Sequence, residues 1–337
     1  MSSDSSWWNL LPWAAVLLAS LWTAHWGAEQ FARPLRKLRR QWGISVAAGG
    51  ALVGLAAASP EIGINASSAW RGSADVGFGV TLGSNILAIP LMVATAYLAS
   101  RTKRLPGDSE HREHLQQRLL RVERSAVTVQ ALPYLAIIGL FALLTVPAPW
   151  RGLQPLDALI LLGAYAVYLA QALFRKKVRG ERVEWQGKEI AFAIGGVAAV
   201  AGGTYFAVMA TERIVETLGI SRIIGGLFIT SPVAMMPEMV ATWALVRSGQ
   251  TTSGVTSVVG DHAVVLTLGL VPLALVSLPI EDMGLFVTSL VFMFAMGASY
   301  GGFIHFGAST HGFLRWQVLT LLGLGLCYVA AAIAWAQ

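Results

Sequence analysis

The sequence predicts an all-α polytopic membrane protein of ten transmembrane helices, arranged as two inverted five-helix repeats, and three observations carry that prediction. The 337 residues are 55% hydrophobic and 12% charged, which leaves a soluble fold without enough polar surface to cover itself. Ten apolar segments alternate with polar loops, and Lys and Arg fall almost entirely in every second loop. A Pro-Glu pair and the glycine that follows it recur in the second half of the chain.

The apolar segments cover about 9–28, 43–70, 74–99, 126–147, 153–173, 189–211, 218–246, 254–279, 283–304 and 313–336. The stretch Met1–Leu10 has no basic n-region and no small-residue cleavage site follows, so the first span is expected to be retained. Segments Arg33–Arg40, Arg101–Arg124 and Arg175–Lys188, with Arg247 and Arg315, place 20 basic residues on one side; Arg71, Arg151, Arg213 and Arg222 are the four on the other. The basic side is expected to be cytoplasmic and both termini outside, in a prokaryotic-type inner (plasma) membrane. The basic clusters read as solvated loops near anionic headgroups, because no aromatic residues interleave them as in a nucleic-acid surface. No nucleic acid and no obligate protein partner is therefore expected. The polar loop Ser100–Ser125 is expected to carry a short amphipathic helix.

Residues 174–188 form the midpoint linker between a first repeat over 9–173 and a second over 189–336. Each repeat holds five spans, an odd number, so the copies must enter the membrane from opposite faces. The lone Cys327 excludes an intramolecular disulfide framework and a multi-cysteine metal site. No H-E-x-x-H or G-x-S-x-G motif points to an enzyme. Trp7, Trp8, Trp13, Trp150 and Trp335 read as interfacial anchors.

The repeat is legible residue by residue, over about 43–99 and again over about 218–279. Gly43-Ile44-Ser45, Ser59-Pro60-Glu61 and Gly83-Ser84-Asn85 in the first half answer Gly219-Ile220-Ser221, Met236-Pro237-Glu238 and Gly260-Asp261-His262 in the second. Glu61 and Glu238 are 177 residues apart, as are Gly83 and Gly260, but Gly43 and Gly219 are 176 apart. One residue of slip therefore precedes the second Pro-Glu. Proline inside a span removes a backbone donor and frees a carbonyl, so both helices are expected to break near Ala57 and Ala234 and to offer carbonyl oxygens. Of the 18 acids, only Glu61, Glu238 and Asp261 lie well inside apolar segments. A carboxylate there must be protonated, paired or metal-bound.

Two matched carboxylates among broken helices describe an alternating-access site for a hard cation. A single buried glutamate also serves as a hydrogen-bond anchor; the matched pair favours the site. Asp261, at the repeat position of Ser84, reads as a site residue or a structural partner of His262. His262 reads as a proton carrier or a packed polar residue. Asp75 reads as a helix N-terminal charge. Met235, Met236 and Met239 raise a soft metal such as copper, against which the three carboxylates weigh.

The runs Ala56–Trp70 and Gly79–Ile89, with Val233–Val246 and Val255–Leu266, resemble the alpha repeats of the calcium/cation antiporter superfamily, whose sodium/calcium exchangers carry G-T-S-x-P-E followed by G-S-N-I-F-(N/D). The resemblance implies an antiporter with Glu61 and Glu238 as central cation ligands, Asp261 and Ser84 as secondary ligands, and carbonyls near Ala57 and Ala234 completing the shell. The transported ions would be calcium, sodium or protons, with no other cofactor. Departures bear on the coupling ion. Ala57-Ala58 and Ala234-Met235 replace the Thr-Ser pair, Ala88 and Val265 replace the closing Asn or Asp, and Asp261 replaces a serine. A site with fewer hydroxyls and a third acid points toward coupling to protons through Glu61, Glu238 and His262. The alternatives are a proton-coupled exchanger of another cation, or a transport-dead scaffold or sensor that keeps the fold.

Overall fold

The computed structural model of the chain describes residues 4–43, 50–101, 116, 118–122, 127–149, 151–174, 180–306 and 311–336. It is mainly helical. The helices are α1 (Asp4–Gln41), α2 (Gly50–Ala57), α3 (Ser59–Trp70), α4 (Ala74–Ala99), α5 (Leu132–Thr145), α6 (Pro155–Phe174), α7 (Gly187–Leu218), α8 (Arg222–Arg247), α9 (Thr251–Val265), α10 (Val271–Leu275), α11 (Met283–Phe306) and α12 (Arg315–Ala336). A π-helical turn, Val127–Ala131, precedes α5, and a second, Gly226–Thr230, lies within α8. Two short antiparallel ribbons join loops: β1 (Leu119–Arg121) with β4 (Gly312–Leu314), and β2 (Gly152–Leu153) with β3 (Leu278–Pro279).

Among the described residues, five helices (α4, α7, α8, α11 and α12) are long and apolar enough to cross a membrane. The pair α9 and α10, bent by 41° around the 3₁₀ turn Leu268–Leu270, makes a sixth. The other predicted segments lie in helices that are shorter, divided or, for α1, less apolar. Segment 9–28 lies inside α1, 43–70 is split between α2 and α3, and α5 and α6 occupy 126–147 and 153–173. Most of the Ser100–Ser125 loop, together with Ile44 and Ser45, lies outside the described residues.

The chain forms two compact units that interleave its halves. The first comprises Met1–Gly83, Leu144–Ala234 and Val264–Pro279. Its frame is α1 packed antiparallel on α7. Leu17, Leu21, Ala24, Ala28 and Ala32 recur at helical spacing and are buried. Where the two helices cross, only glycine fits: a Cβ on Gly27 would stand 2.4 Å from the Gly196 carbonyl oxygen, and one on Gly196 2.6 Å from that of Gly27. Ion pairs close both ends of α7, Lys37 with Glu189 and Arg71 with Glu212, the latter bidentate at 2.5 and 3.1 Å to one carboxylate oxygen. Glu189 and Glu212 are about 35 Å apart along an α-helix, close to the roughly 30 Å of a hydrocarbon core. The Arg71 guanidinium also lies 4.8 Å over the Tyr205 ring. The N-terminal part of α4 meets α8 in the same close fashion, a Cβ on Gly79 standing 2.2 Å from the Ile223 carbonyl oxygen.

The second unit comprises Ser84–Leu143, Met235–Ala263 and Ile280–Gln337. Here α11 and α12 pack together through Ser289 and Tyr328, whose hydroxyls are 3.0 Å apart, and Phe141 meets Phe286 edge to face at 5.7 Å. The Tyr300 hydroxyl donates to the Val255 carbonyl at 3.4 Å.

The sequence repeat has a conformational counterpart. Gly43 and Gly219, the first residues of the matched Gly-Ile-Ser triplets, follow the ends of α1 and α7 in the left-handed region, at φ 63° and 68°. Gly219 does so as a helix C-cap, with the Ile220 N–H reaching back to the Val215 carbonyl. The one-residue slip after Gly219 coincides with the π turn Gly226–Thr230, since a π turn is one extra residue inserted into an α-helix. The corresponding first-half residues from Gly50 onward are regular α-helix.

Candidate functional site

Within the first unit, α2 ends at Ala57, Ala58 is a turn, and α3 begins at Ser59 with Pro60 in its first turn. Pro60 has no N–H to offer the Ala56 carbonyl, and the Ser59 hydroxyl donates to that oxygen instead, at 2.7 Å. The break expected near Ala57 is present, but the carbonyl freed by the proline belongs to Ala56 and is capped from within. Glu61 sits in the first turn of α3 and is 5% exposed. One turn on, the fully buried Asn65 amide donates to Thr81 Oγ1 at 2.9 Å and to the Gly269 carbonyl at 2.8 Å. Asn65 thus ties α3 to α4 and to the 3₁₀ turn of the broken span. Ser67 and Thr204 hydroxyls stand 3.2 Å apart, and Thr211 and Thr230 hydroxyls 2.6 Å apart, so α7 contributes one half-buried and one buried hydroxyl contact. Ser231 Oγ, opposite Gly83, is buried without a hydrogen-bond partner among the described residues. Ala234 is half-buried at the end of this unit.

Within the second unit, Pro237 is accommodated inside continuous helix, and Glu238 follows it half-buried. The expected second break at Ala234 is therefore absent. The irregularity of α8 lies earlier, at its π turn, where the extra residue was already implied by the slip. Asp261 is half-buried on α9 and lies within electrostatic range of Glu238, so two of the predicted carboxylates are brought together here. Ser84 and Asn85 on α4 are buried. The Tyr134 hydroxyl, 3.2 Å from both the carbonyl and the side-chain oxygen of Asn85, donates to this residue. His262 is 2% exposed; its ring lies 5.9 Å from that of Tyr134, and its Nδ1 has no hydrogen-bond partner among the described residues. His262 packs against Tyr134, and among the described residues it makes no hydrogen bond through Nδ1 to Asp261. The Thr242 hydroxyl donates to Met92 Sδ and to the Gly254 carbonyl, both at 3.4 Å. Met235 is buried, while Met236 is 52% exposed.

Among the described residues no group of three or more His, Cys, Asp or Glu side chains is placed to hold a metal ion. Any cation held here would draw most of its ligands from hydroxyl, amide and carbonyl oxygens, as hard cations do. Asp75, half-buried in the first turn of α4, has the place of a helix N-terminal charge.

Sequence reasoning missed Asn65, Thr81 and Tyr134. The signal for Asn65 was present: an amide four residues after Glu61 in an apolar span. Its contact has a counterpart across the repeat. Asn65 and Thr242 are 177 residues apart, and so are Met92 and Gly269. Asn65 binds Gly269 and Thr242 binds Met92, the same pair of positions with the halves exchanged. Asn85 and His262, both against Tyr134, are likewise 177 apart.

Residues 12–174 match the sodium/calcium exchanger protein family. The fold resembles solved structures of the sodium-calcium exchanger NCX_Mj, with a TM-score of 0.59 at 18% identity over 95% of this chain and 99% of that one. It also resembles the H+/Ca2+ exchanger CAX, with a TM-score of 0.66 at 13% identity over 98% of this chain and 87% of that one. No match was found among curated proteins.

Proposed function

From a chain that is like the calcium/cation antiporter exchangers in the sequence of its first half and in fold throughout, we propose a secondary active antiporter that exchanges calcium or another cation for sodium or protons. It works by alternating access, with ten spans as two inverted repeats, the basic loops cytoplasmic and both termini outside. Glu61 and Glu238 are the central ligands. Asp261 and Ser84 assist them, and backbone oxygens at the break around Ala57 add to the shell. The pair α1 and α7, packed through glycines rather than interlocked side chains, is the element that slides. The observation that carries the reading is the Pro-Glu repeat, which places a buried carboxylate at the start of α3 and its counterpart inside α8.

The two structural relatives differ in coupling ion, sodium for one and protons for the other. Asp261 beside Glu238, with alanine and methionine where hydroxyls would bind sodium, favours protons here. Two carboxylates in one low-dielectric site hold a proton readily and release it when a divalent cation enters. Glu61, Glu238 and His262 are the groups through which that proton passes.

The test is calcium, manganese, sodium and potassium flux into proteoliposomes under imposed sodium and proton gradients. Flux that follows the proton gradient and falls to background in both Glu61→Gln and Glu238→Gln is expected. Flux that needs sodium and ignores pH would overturn proton coupling, and substantial residual exchange in either variant would overturn the two-glutamate site.

A further inference from the structure

The last two turns of α1 carry Arg33, Arg36, Lys37, Arg39 and Arg40. Lys37 is committed to protein partners, donating to Glu189 and to the Glu184 carbonyl. The segment that leads into α7 is strapped across the same helix end. The Glu181 N–H donates to the Arg40 carbonyl at 3.1 Å, and Trp185 Nε1 donates to the Gln41 side chain at 3.0 Å. This strap holds the arginines in a fixed frame. Arg33, Arg36 and Arg40, three and four residues apart, line one exposed face. Arg39 is half-buried, and its Nε–H is buried with no acceptor among the described residues.

Among the described residues positive charge is in excess around these arginines. Burial, and after it the charge of Arg33, lowers the Arg36 guanidinium from its ordinary value; burial and then Arg40 do the same to Arg39. The carboxylates that oppose this are Glu29, near Arg36, and Glu181, near Arg39, fewer than the four arginines. A guanidinium N–H buried without an acceptor is costly, and its planar fork matches the oxygens of a phosphate. The position suits a lipid. The apolar part of α1 ends near residue 28, and Arg33 follows about 8 Å along the helix, the depth of a headgroup layer. Trp42 and Trp185, 52% and 40% exposed, stand beside the arginines as interfacial indoles do.

We infer that the C-terminal end of α1 is a binding site for the phosphate of an anionic membrane phospholipid, held by Arg36, Arg39 and Arg40 and framed by the strap before α7. The bound lipid ties α1 to the junction between the two halves. The site rests on the chain's being a membrane protein and does not depend on antiport.

Native mass spectrometry of the full chain in detergent, with phosphatidylglycerol or phosphatidylcholine added, tests it without any transport assay. A phosphatidylglycerol adduct that survives where phosphatidylcholine is stripped is expected. It should fall about tenfold or more in R36Q/R39Q, recover in part in R36Q/R39K, and persist in R315Q. Because R36Q/R39Q alters the half-buried Arg39, R40Q, at an exposed position, supplies the second variant, and a fall of about threefold is expected there. Equal retention of both lipids, a phosphatidylglycerol adduct untouched by R36Q/R39Q and R40Q, or an equal loss in R315Q would overturn the site. Displacement of phosphatidylglycerol by equimolar inorganic phosphate would show a free-anion site and overturn the lipid assignment.

Discussion

The two Pro-Glu segments share a motif but solve the same backbone problem differently. In the first unit the proline falls at a helix start, where its missing N–H is harmless, and Ser59 caps the carbonyl it leaves behind. In the second unit Pro237 lies within helix, and the distortion in α8 is a π turn upstream, at Gly226–Thr230. Beyond each glutamate the difference continues. Asn65 makes two amide hydrogen bonds, to Thr81 at 2.9 Å and to Gly269 at 2.8 Å, whereas the Thr242 hydroxyl reaches a thioether, a weak acceptor, and the Gly254 carbonyl at the longer distance of 3.4 Å. At the next matched position Ser84 faces Asp261 across the repeat. The first half thus places a hydrogen-bonded neutral amide one turn beyond its glutamate, and the second brings another carboxylate near its own. A duplicated unit can keep its register while its copies divide the labour, one giving rigidity and the other electrostatics.

Four substitutions probe that contrast, beginning with the largest effect. Gly79→Leu drives a side chain into the Ile223 carbonyl region, where even a Cβ would be 2.2 Å from oxygen, and folded protein is expected to be lost; size-exclusion chromatography in detergent reads it. Asn65→Leu leaves the buried Gly269 carbonyl unpaired and should cost about 1–3 kcal/mol, measured as a drop in Tm. Thr242→Val, at the equivalent position, should cost well under about 1 kcal/mol, so equal losses at the two sites would erase the asymmetry. Tyr134→Phe removes the hydrogen bond to Asn85 and should cost about 0.5–1.5 kcal/mol. The turns between matched helices test backbone strain apart from packing. Gly72 and Gly249, also 177 residues apart, have φ of 68° and 85° with open space around them, so alanine at either should cost about 1 kcal/mol from backbone strain alone. A clearly larger loss at one of them would show that its turn also carries packing.

Much of this was legible in the residues. Apolar content and span-length runs determine a helical membrane protein, because lipid leaves the backbone few other ways to satisfy its polar groups. The 176-to-177 change in offset announced an extra residue in the second half, and the π turn is where the helix stores it. Gly43 and Gly219 open the matched Gly-Ile-Ser triplets, and both take the left-handed conformation that a residue without a Cβ adopts at little cost. Those features depend on neighbours in sequence or on composition.

What only the tertiary structure decided depends on residues far apart in the chain. That Asn65 finds the Gly269 carbonyl 204 positions away, that Pro237 is absorbed while Pro60 ends a helix, and that Tyr134 lies between Asn85 and His262 follow from which helices pack together. No local period records this. A hydrogen bond or close glycine contact at such separation exists only after both helices have been placed, and its energy is a property of the packed pair.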